Sequence, residues 1–326
     1  ACLARAGHEV HCLLRSDFDA VQRHGLRVLS PSGDFVVHPR AARSPEEIGI
    51  VDWVVIGLKT TANAEFGRLL PPLVGSQTAV LTLQNGLGNE EALARLFPAE
   101  QILGGLCFVC LNRIEPGVVS HIAHGRIVLG EFGRPPLPRT WALAHAFEQS
   151  GVPCTVADDL ARAHWEKLVW NIPFNGLGVA SCAGVDAVRT GIPDPARART
   201  ECLTTDRLLA DPAWLALVRE LMAEVIAAAH ALGHPIPVSY AEWQVERTLE
   251  MGAYRASTLI DFERGQELEL ESLFGEPLRQ AQQAGVAVPR LEALMRVLMA
   301  LSRNNAVESS DKRRFTPRRG SGVGSQ

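Results

Sequence analysis

One lysine and two asparagines stand at helical spacing in a strongly apolar stretch of the chain. Lys167, Asn171 and Asn175 are four residues apart, which places them in one row along a helix. The residues around them are mostly Leu, Val, Trp, Ile and Phe, so this helix is expected to be largely buried. Because an unpaired buried polar group costs about 1–3 kcal/mol, the row predicts a ligand that carries a carboxylate and further oxygens. The alternative is a helix with one solvated edge.

A second polar group follows further along the chain. Ser257 and Asp261 are one helical turn apart, and Glu267, Glu269 and Glu271 then alternate with leucines. This alternation is expected to begin the next helix, where carboxylates are favoured by the helix dipole. The functional interpretation is that one of these carboxylates reaches into the ligand site.

Three polar residues of the first half each follow a predicted strand. Arg15, Lys59 and Asn85 are therefore expected at the carboxyl edge of a parallel sheet, where such folds bind ligands. An arginine after the second strand of a nucleotide-binding domain pairs with the 2′-phosphate of NADP, whereas Asp or Glu would accept from the ribose of NAD. For Asn85, which precedes Gly86, a plain Asn-Gly turn is the alternative.

The elements that must position these residues change in character along the chain. Strand and helix patterns alternate through the first half, and apolar runs such as residues 53–56 suit strands buried on both faces, which together indicate an α/β fold with a doubly wound parallel sheet. From residue 158 nearly every pattern is helical. We predict a nucleotide-binding domain over 1–157, a helical domain over 158–303 with a loop or insertion at 183–201, and a disordered tail over 304–326. Predicted strands are 9–14, 26–29, 34–38, 53–58, 79–82 and 102–107, followed by a hairpin of 118–122 with 126–130; predicted helices are 17–24, 61–70, 89–96, 160–179, 204–232, 239–251 and 270–284.

The first ten residues resemble the end of a helix, a glycine stop and a strand. A complete dinucleotide-binding domain would begin with a strand and a G-x-G-x-x-G turn, whose glycines let the backbone approach the pyrophosphate. That turn is absent from this sequence. We therefore expect the chain to be a fragment, truncated at its N-terminus.

The net charge and the cysteines of the chain indicate which partners, compartments and metal sites to expect. A net charge of −4 and a pI near 6.2 argue against nucleic-acid or membrane partners. The seven cysteines form no disulfide framework, which favours a reducing compartment such as the cytoplasm. Cys107 and Cys110 form a lone CxxC without a second ligand pair, so we expect no metal site.

Taken together, these motifs resemble the ketopantoate reductase (2-dehydropantoate 2-reductase) family. The resemblance rests on Arg15 after G-H-E-V, Lys59 after a V-V-x-x-L strand, the Q-N-G-L-G turn, W-x-K-L-x-x-N-x-x-x-N, and S-x-x-x-D followed by an E-x-E run, and it extends from Ala1 to about Leu301. It implies a Rossmann-type domain followed by an all-α domain, NADPH as cofactor and a small 2-keto acid as substrate. A homodimer is one possible assembly, although the sequence does not determine the oligomeric state.

The resemblance also implies roles for individual residues. Lys167 is the catalytic general acid and Glu269 the active-site carboxylate, while Asn171, Asn175 and Ser257 bind ketopantoate. Asn85 lies between nicotinamide and substrate. The residues implied to contact NADPH are Arg15, Lys59, Asn85, Cys110 and Glu269.

Departures from the family pattern leave other functions open. The Gly-rich turn is missing, the 183–201 stretch is longer than the family needs, and residues 267–271 read E-L-E-L-E where the family commonly has E-I-D. The alternatives are a reductase of another branched 2-keto acid on the same fold, and a catalytically silent NADPH-binding homologue.

Overall fold

A computed structural model describes residues 1–193 and 201–315, with backbone alone over 305–315. The chain divides into two compact units, Ala1–Lys167 and Leu168–Gln326. The division falls inside the helix Leu160–Ala180, later than the predicted boundary at 157/158. The sequence pattern changes where this helix begins, whereas its first two turns pack with the unit that precedes it.

The first unit alternates strands with helices, as predicted. Its strands are β1 (His11–Leu13), β2 (Leu26–Leu29), β3 (Phe35–Val37), β4 (Arg40–Ala42), β5 (Trp53–Ile56), β6 (Ala79–Thr82), β7 (Ile102–Glu115), β8 (Val118–Glu131) and β9 (Cys154–Val156). Its helices are α1 (Cys2–Arg5), α2 (Phe18–His24), α3 (Phe66–Leu69), α4 (Asn89–Ala94), α5 (Pro138–Gln149) and the start of α6 (Leu160–Ala180), with 3₁₀ turns at Pro45–Glu47, Thr60–Glu65, Pro71–Leu73 and Ala99–Gln101.

The strands form two sheets. A seven-stranded sheet has the order β3-β2-β8-β7-β6-β5, with β9 paired to β8, and a two-stranded parallel sheet joins β1 to β4. Strands β5, β6 and β7 are parallel, as the alternation with helices predicted, whereas β7 and β8 are antiparallel. The α/β class is thus confirmed, and its large sheet is mixed.

Side chains of the central strands alternate between two apolar clusters. Val80 and Ile102 lie in one cluster with the helical residue Phe66, and Leu81 and Leu103 lie in the other. Every residue of β6 is buried, which is why a continuous apolar run marked it in the sequence.

The predicted hairpin within residues 118–130 is wrong. These residues form the single strand β8, and the hairpin is the pair β7 and β8, joined at Pro116-Gly117. The pairing register shifts near His124, which has a positive φ of 63°. This irregularity interrupts the apolar pattern and made one bulged strand look like two.

The second unit is helical, as predicted. It contains the rest of α6, then α7 (Val185–Thr190), α8 (Thr205–Ala210), α9 (Pro212–Ala231), α10 (Tyr240–Leu249), α11 (Ser257–Glu263), a π-turn at Glu271–Gly275, α12 (Glu276–Gln283) and α13 (Pro289–Phe315), with a 3₁₀ turn at Ser181–Ala183.

Two predicted irregular segments are partly helical. Helix α7 occupies part of the predicted loop or insertion at 183–201 and buries Ala187 and Val188, while residues 194–200 lie outside the described residues. Helix α13 extends to Phe315, into the predicted disordered tail 304–326, whose residues 316–326 also lie outside the described residues. Within the described ranges, no helix is both long and apolar enough to cross a membrane.

Helix α9 is central to the core of the second unit. Its N-cap Asp211 accepts from the backbone N–H groups of Ala213 and Trp214, and Pro212 occupies the first helical position, as is typical of a well-formed helix start. The helix buries an apolar stripe that includes Trp214, Leu217, Leu221, Met222 and Val225.

Candidate functional site

Lys167 is held by two acceptors in the first unit. Its ammonium donates to Asn85 Oδ1 at 2.8 Å and to the Cys107 carbonyl at 2.8 Å. Asn85 follows β6, and Cys107 lies in the neighbouring strand β7, so the lysine meets the sheet at two adjacent strands. The structure therefore brings together Lys167 and Asn85, which helical spacing and position after a predicted strand had each singled out in the sequence.

The turn that carries Asn85 requires glycine at two positions. Gly86 has a φ of 85° and Gly88 a φ of 87°, in the left-handed region where a side chain is strained. Asn89, at the start of α4, donates from its side chain to the Asn85 carbonyl at 3.1 Å. The predicted Asn-Gly turn is therefore present, and it presents the Asn85 side chain to Lys167.

A network of side-chain hydrogen bonds connects the residues on either side of this turn. The Thr82 hydroxyl donates to Gln84 Oε1 at 2.9 Å, and Gln84 Nε2 donates to Asn63 Oδ1 at 2.8 Å. Asn63 Nδ2 in turn donates to Asn89 Oδ1 at 2.9 Å. This network was not predicted. Gln84 belongs to the Q-N-G-L-G turn, but no local pattern points to Asn63, because its partners are distant in sequence.

An aromatic ring adjoins the lysine. The Lys167 ammonium lies 5.2 Å from the ring centre of Phe108, and the Arg126 guanidinium lies 4.4 Å from the same centre. Burial raises the pKa of the neighbouring Cys107 thiol, while the Lys167 charge acts in the opposite direction. Two cations thus lie near one aromatic ring, whose negative face stabilises positive charge.

The second unit fixes the side chain of Asn175, one of the predicted substrate-binding residues. This residue is 3% exposed, and its Oδ1 accepts from the Ser257 hydroxyl at 3.2 Å and from the Thr258 backbone N–H at 3.0 Å. Asn171 is buried one turn earlier on α6. The structure therefore brings Asn175 and Ser257 together, as their shared predicted role requires.

Helix α6 is anchored around these amides. Trp170 Nε1 donates to the Thr248 hydroxyl of α10 at 3.0 Å, and its ring lies 5.0 Å from that of Phe174. Pro173 stands inside the helix between the two asparagines. Because proline has no N–H, the carbonyl of Val169 loses its usual helical donor.

Glu269 lies in the segment that precedes the π-turn. It is half-buried, and its carbonyl accepts from the Leu273 backbone N–H at 3.3 Å. The helical structure begins at Leu270, so Glu267 and Glu269 precede the helix that they were expected to start. Glu271 lies in the π-turn and pairs with Arg279.

Two predicted cofactor residues are exposed cations at strand ends of the first unit. Arg15 follows β1, and Lys59 follows β5 and occupies the position before the 3₁₀ turn Thr60–Glu65. Among the described residues, Arg15 has no carboxylate partner within salt-bridge distance. A guanidinium and an ammonium of this kind fit the phosphates of a dinucleotide. Cys110, the remaining predicted contact, is half-buried in β7 three residues after Cys107.

Comparison with known proteins gives one consistent family. Residues 1–134 match the family model described as ketopantoate reductase PanE/ApbA, and residues 190–302 match its C-terminal counterpart. A 2-dehydropantoate 2-reductase of Nostoc sp. is 38% identical over 94% of this chain and 91% of its own length.

Solved structures agree with this relationship. The crystal structure of 2-dehydropantoate 2-reductase from Geobacter metallireducens is 46% identical, covers 92% of this chain and 94% of its own, and superposes with a TM-score of 0.82. A D-mandelate dehydrogenase with NADH and anilino(oxo)acetate is 19% identical over 93% of this chain and 94% of its own, and its TM-score of 0.78 shows a shared fold. The chain belongs to the ketopantoate reductase family.

Proposed function

We propose that this chain reduces 2-dehydropantoate to pantoate with NADPH, a step in the formation of pantothenate. The observation that carries this proposal is the Lys167 ammonium, fixed by Asn85 Oδ1 and the Cys107 carbonyl, each at 2.8 Å, at the edge of a sheet where α/β folds bind ligands. Family membership supports the same reaction.

Lys167 is the proton donor in this proposal. When bound, the reduced nicotinamide supplies the hydride that attacks the 2-keto carbon. Negative charge then develops on the keto oxygen, and an ammonium beside that oxygen stabilises the charge and delivers the proton. The two acceptors fix the lysine before substrate arrives, so little reorganisation is needed during the reaction.

Asn171, Asn175 and Ser257 are the proposed substrate ligands. Because the Thr258 N–H must donate to an oxygen, the contact identifies Asn175 Oδ1 and leaves the amide NH₂ as the end that can donate to a substrate oxygen. The Ser257 hydroxyl donates to the Asn175 Oδ1 atom and so lies next to this amide. We propose that Glu269 orients the substrate hydroxyl or the lysine.

NADPH is the proposed form of the pyridine nucleotide. Arg15 is exposed after the first strand of this chain and lacks a carboxylate partner among the described residues, so its guanidinium can pair with a 2′-phosphate. Lys59, Asn85, Cys110 and Glu269 are the further proposed cofactor contacts. We also propose a homodimer and a cytoplasmic location, the latter because all seven cysteines are free thiols.

The test is the initial rate of cofactor oxidation with ketopantoate, measured with NADPH and with NADH, for the wild type, Lys167→Ala and Lys167→Arg. We expect a preference for NADPH, and a loss of kcat of about 100-fold or more in Lys167→Ala with an unchanged Tm. Lys167→Arg keeps the positive charge but cannot give up a proton near neutral pH, so it should also be slow.

Three results would contradict the proposal in different ways. Unchanged turnover in Lys167→Ala would refute the assigned acid. Wild-type turnover with another branched 2-keto acid but not with ketopantoate would replace the substrate. Binding of NADPH without turnover of any keto acid would indicate a silent homologue.

A further inference from the structure

A buried acid–base pair lies one helical turn from Lys167. His164 Nε2 is 3.0 Å from Glu90 Oε1, and the two side chains are 7% and 6% exposed. His164 precedes Lys167 by three residues on α6, so both project from the same face of the helix. Glu90 is the second residue of α4, the helix that begins directly after the Asn85 turn.

The sheet makes room for this pair with two glycines. Gly104 in β7 and Gly130 in β8 are directly opposite one another in the pairing register. A Cβ on Gly104 would collide with Glu90 Oε1, and a Cβ on Gly130 would come within 2.8 Å of the Leu160 Cβ atom. Glu90 and the start of α6 therefore lie directly on the bare backbone of the hairpin.

Stability alone is a weak reason for such a pair. Burying two polar groups costs free energy, and apolar residues of similar volume often stabilise a core equally well or better. Apolar contacts depend little on orientation, whereas a hydrogen bond requires a defined distance and angle. A hydrogen bond between two side chains can therefore set how one helix is placed against another. Here the bond joins the helix that carries Lys167 to the helix that follows Asn85.

We propose that Glu90 and His164 are positioning residues, which set the placement of α6 against α4 so that the Lys167 ammonium meets Asn85 Oδ1 and the Cys107 carbonyl. Among the hydrogen bonds of the described residues, neither Glu90 nor His164 bonds to these acceptors. Asn89, adjacent to Glu90, holds the Asn85 carbonyl at 3.1 Å, so movement of α4 would move the turn as well. The consequence for catalysis rests on the proposed role of Lys167, whereas the placement itself does not.

The lysine content of the chain allows a direct test. The sequence contains three lysines, Lys59, Lys167 and Lys312. Protein labelled with ¹³C at lysine Cε should give three resolved correlation signals, and Lys167→Arg identifies one of them. The variants are His164→Leu, Glu90→Leu/His164→Leu and the control Glu131→Gln. Glu131 is a fully buried carboxylate that bonds Arg139 and Thr140, so this control disturbs a comparable pair elsewhere in the same unit.

We expect His164→Leu to leave Glu90 unpaired and to lower Tm by about 5 °C or more. The double variant should regain most of that loss, because two apolar side chains then pack together. The Lys167 signal should nevertheless move in both variants and stay in place in Glu131→Gln, while the signals of Lys59 and Lys312 remain fixed in all three. In the kinetic assay, kcat of the double variant should stay about 10-fold or more below the wild type, with KM for ketopantoate within about 2-fold.

An unmoved Lys167 signal in the double variant would overturn the proposal, even if the chain turns out not to reduce ketopantoate. Recovery of kcat together with Tm in the double variant would also overturn it, because the pair would then serve stability alone. A wild type that is inactive towards ketopantoate would contradict the proposed function, and the lysine signals would still decide whether the pair positions Lys167.

Discussion

Asn175 caps a helix to which it does not belong. Helix α11 begins at Ser257, and its N-cap residue Ala256 has no side-chain acceptor, so a first-turn N–H group depends on Asn175 Oδ1. A residue proposed to bind substrate therefore also holds Ser257, its proposed partner, in place. Changes at Asn175 should affect stability and substrate binding together, unless the substitution separates them.

Asn175→Ala and Asn175→Asp should separate these two roles. The alanine variant leaves the buried Thr258 N–H without its acceptor and should lower the free energy of unfolding by about 1–3 kcal/mol. The aspartate variant keeps an acceptor oxygen, so it should be clearly more stable than the alanine variant. Aspartate lacks the NH₂ donor and repels a carboxylate, so KM for ketopantoate should rise about 10-fold or more in both variants. Urea unfolding and initial rates measure the two effects, and equal instability of the two variants would argue against the cap.

At the scale of elements, helix α6 contains two glycines in different surroundings. A Cβ on Gly176 would lie 2.5 Å from Leu294 Cδ2 and 2.9 Å from Phe274 Cε1, whereas one on Gly178 would meet its nearest atoms at 3.6 Å. The first position lets α13 and the π-turn segment approach the helix closely. The second is occupied by glycine without any need for space.

Gly178→Ala should therefore stabilise the protein by up to about 1 kcal/mol, since alanine is the better helix former. Gly176→Ala gains the same propensity but must displace well-packed side chains, which costs about 1–3 kcal/mol, so it should be neutral or destabilising. Thermal unfolding of the two variants measures the difference. A stabilising Gly176→Ala would show that the packing around Leu294 yields easily.

Elements whose structure follows from a local pattern of burial were predictable from the sequence. Strand β6 is buried throughout, and its bounds agree with the predicted residues 79–82. Strand β8 was predicted as two strands because the bulge near His124 is set by pairing with β7, which no local pattern encodes. Helix α13 was missed although Leu291, Leu294 and Leu298 repeat at helical spacing and are buried.

The residues of the candidate site likewise fall into those with a local signal in the sequence and those without one. Lys167, Asn85 and Asn175 could be singled out because a polar residue at a strand end or in an apolar helix needs a reason, whereas the role of Ser257 was implied by the family resemblance. Asn63, Glu90 and His164 were not, since their importance lies in contacts with residues far away in the sequence. Long-range hydrogen bonds leave no periodic pattern in the sequence, so the residues that support the candidate site could not be predicted, whereas the polar residues proposed to bind ligand could.

At the scale of the whole molecule, the cysteines differ in burial and acidity. Burial raises the pKa of Cys12 and Cys107, and burial with the Glu148 charge raises that of Cys154 to about 11. Cys2 and Cys110 are half-buried. Because the thiolate is the reactive form, the thiols of one chain should be modified at very different rates.

We expect a thiol reagent at pH 8 to modify Cys2 and Cys110 of the native protein well before Cys154. Peptide mass spectrometry after timed quenching gives the order, and the same protein in denaturant, where all seven thiols should react alike, is the control. Native labelling of Cys154 as fast as that of Cys110 would mean that the β9 region opens far more readily than its burial suggests.

The hairpin of β7 and β8 has a consequence for how the first unit acquires its structure. Its two strands are joined at Pro116-Gly117, so their pairing closes a very short loop, whereas β2 and β9 join β8 from positions distant in the chain. Local pairing is entropically inexpensive, so this hairpin should form early and offer its free edge as a template for the later strands. Since Gly104, Gly130 and the Cys107 carbonyl all belong to it, the surface that receives Glu90 and Lys167 would exist before either helix arrives.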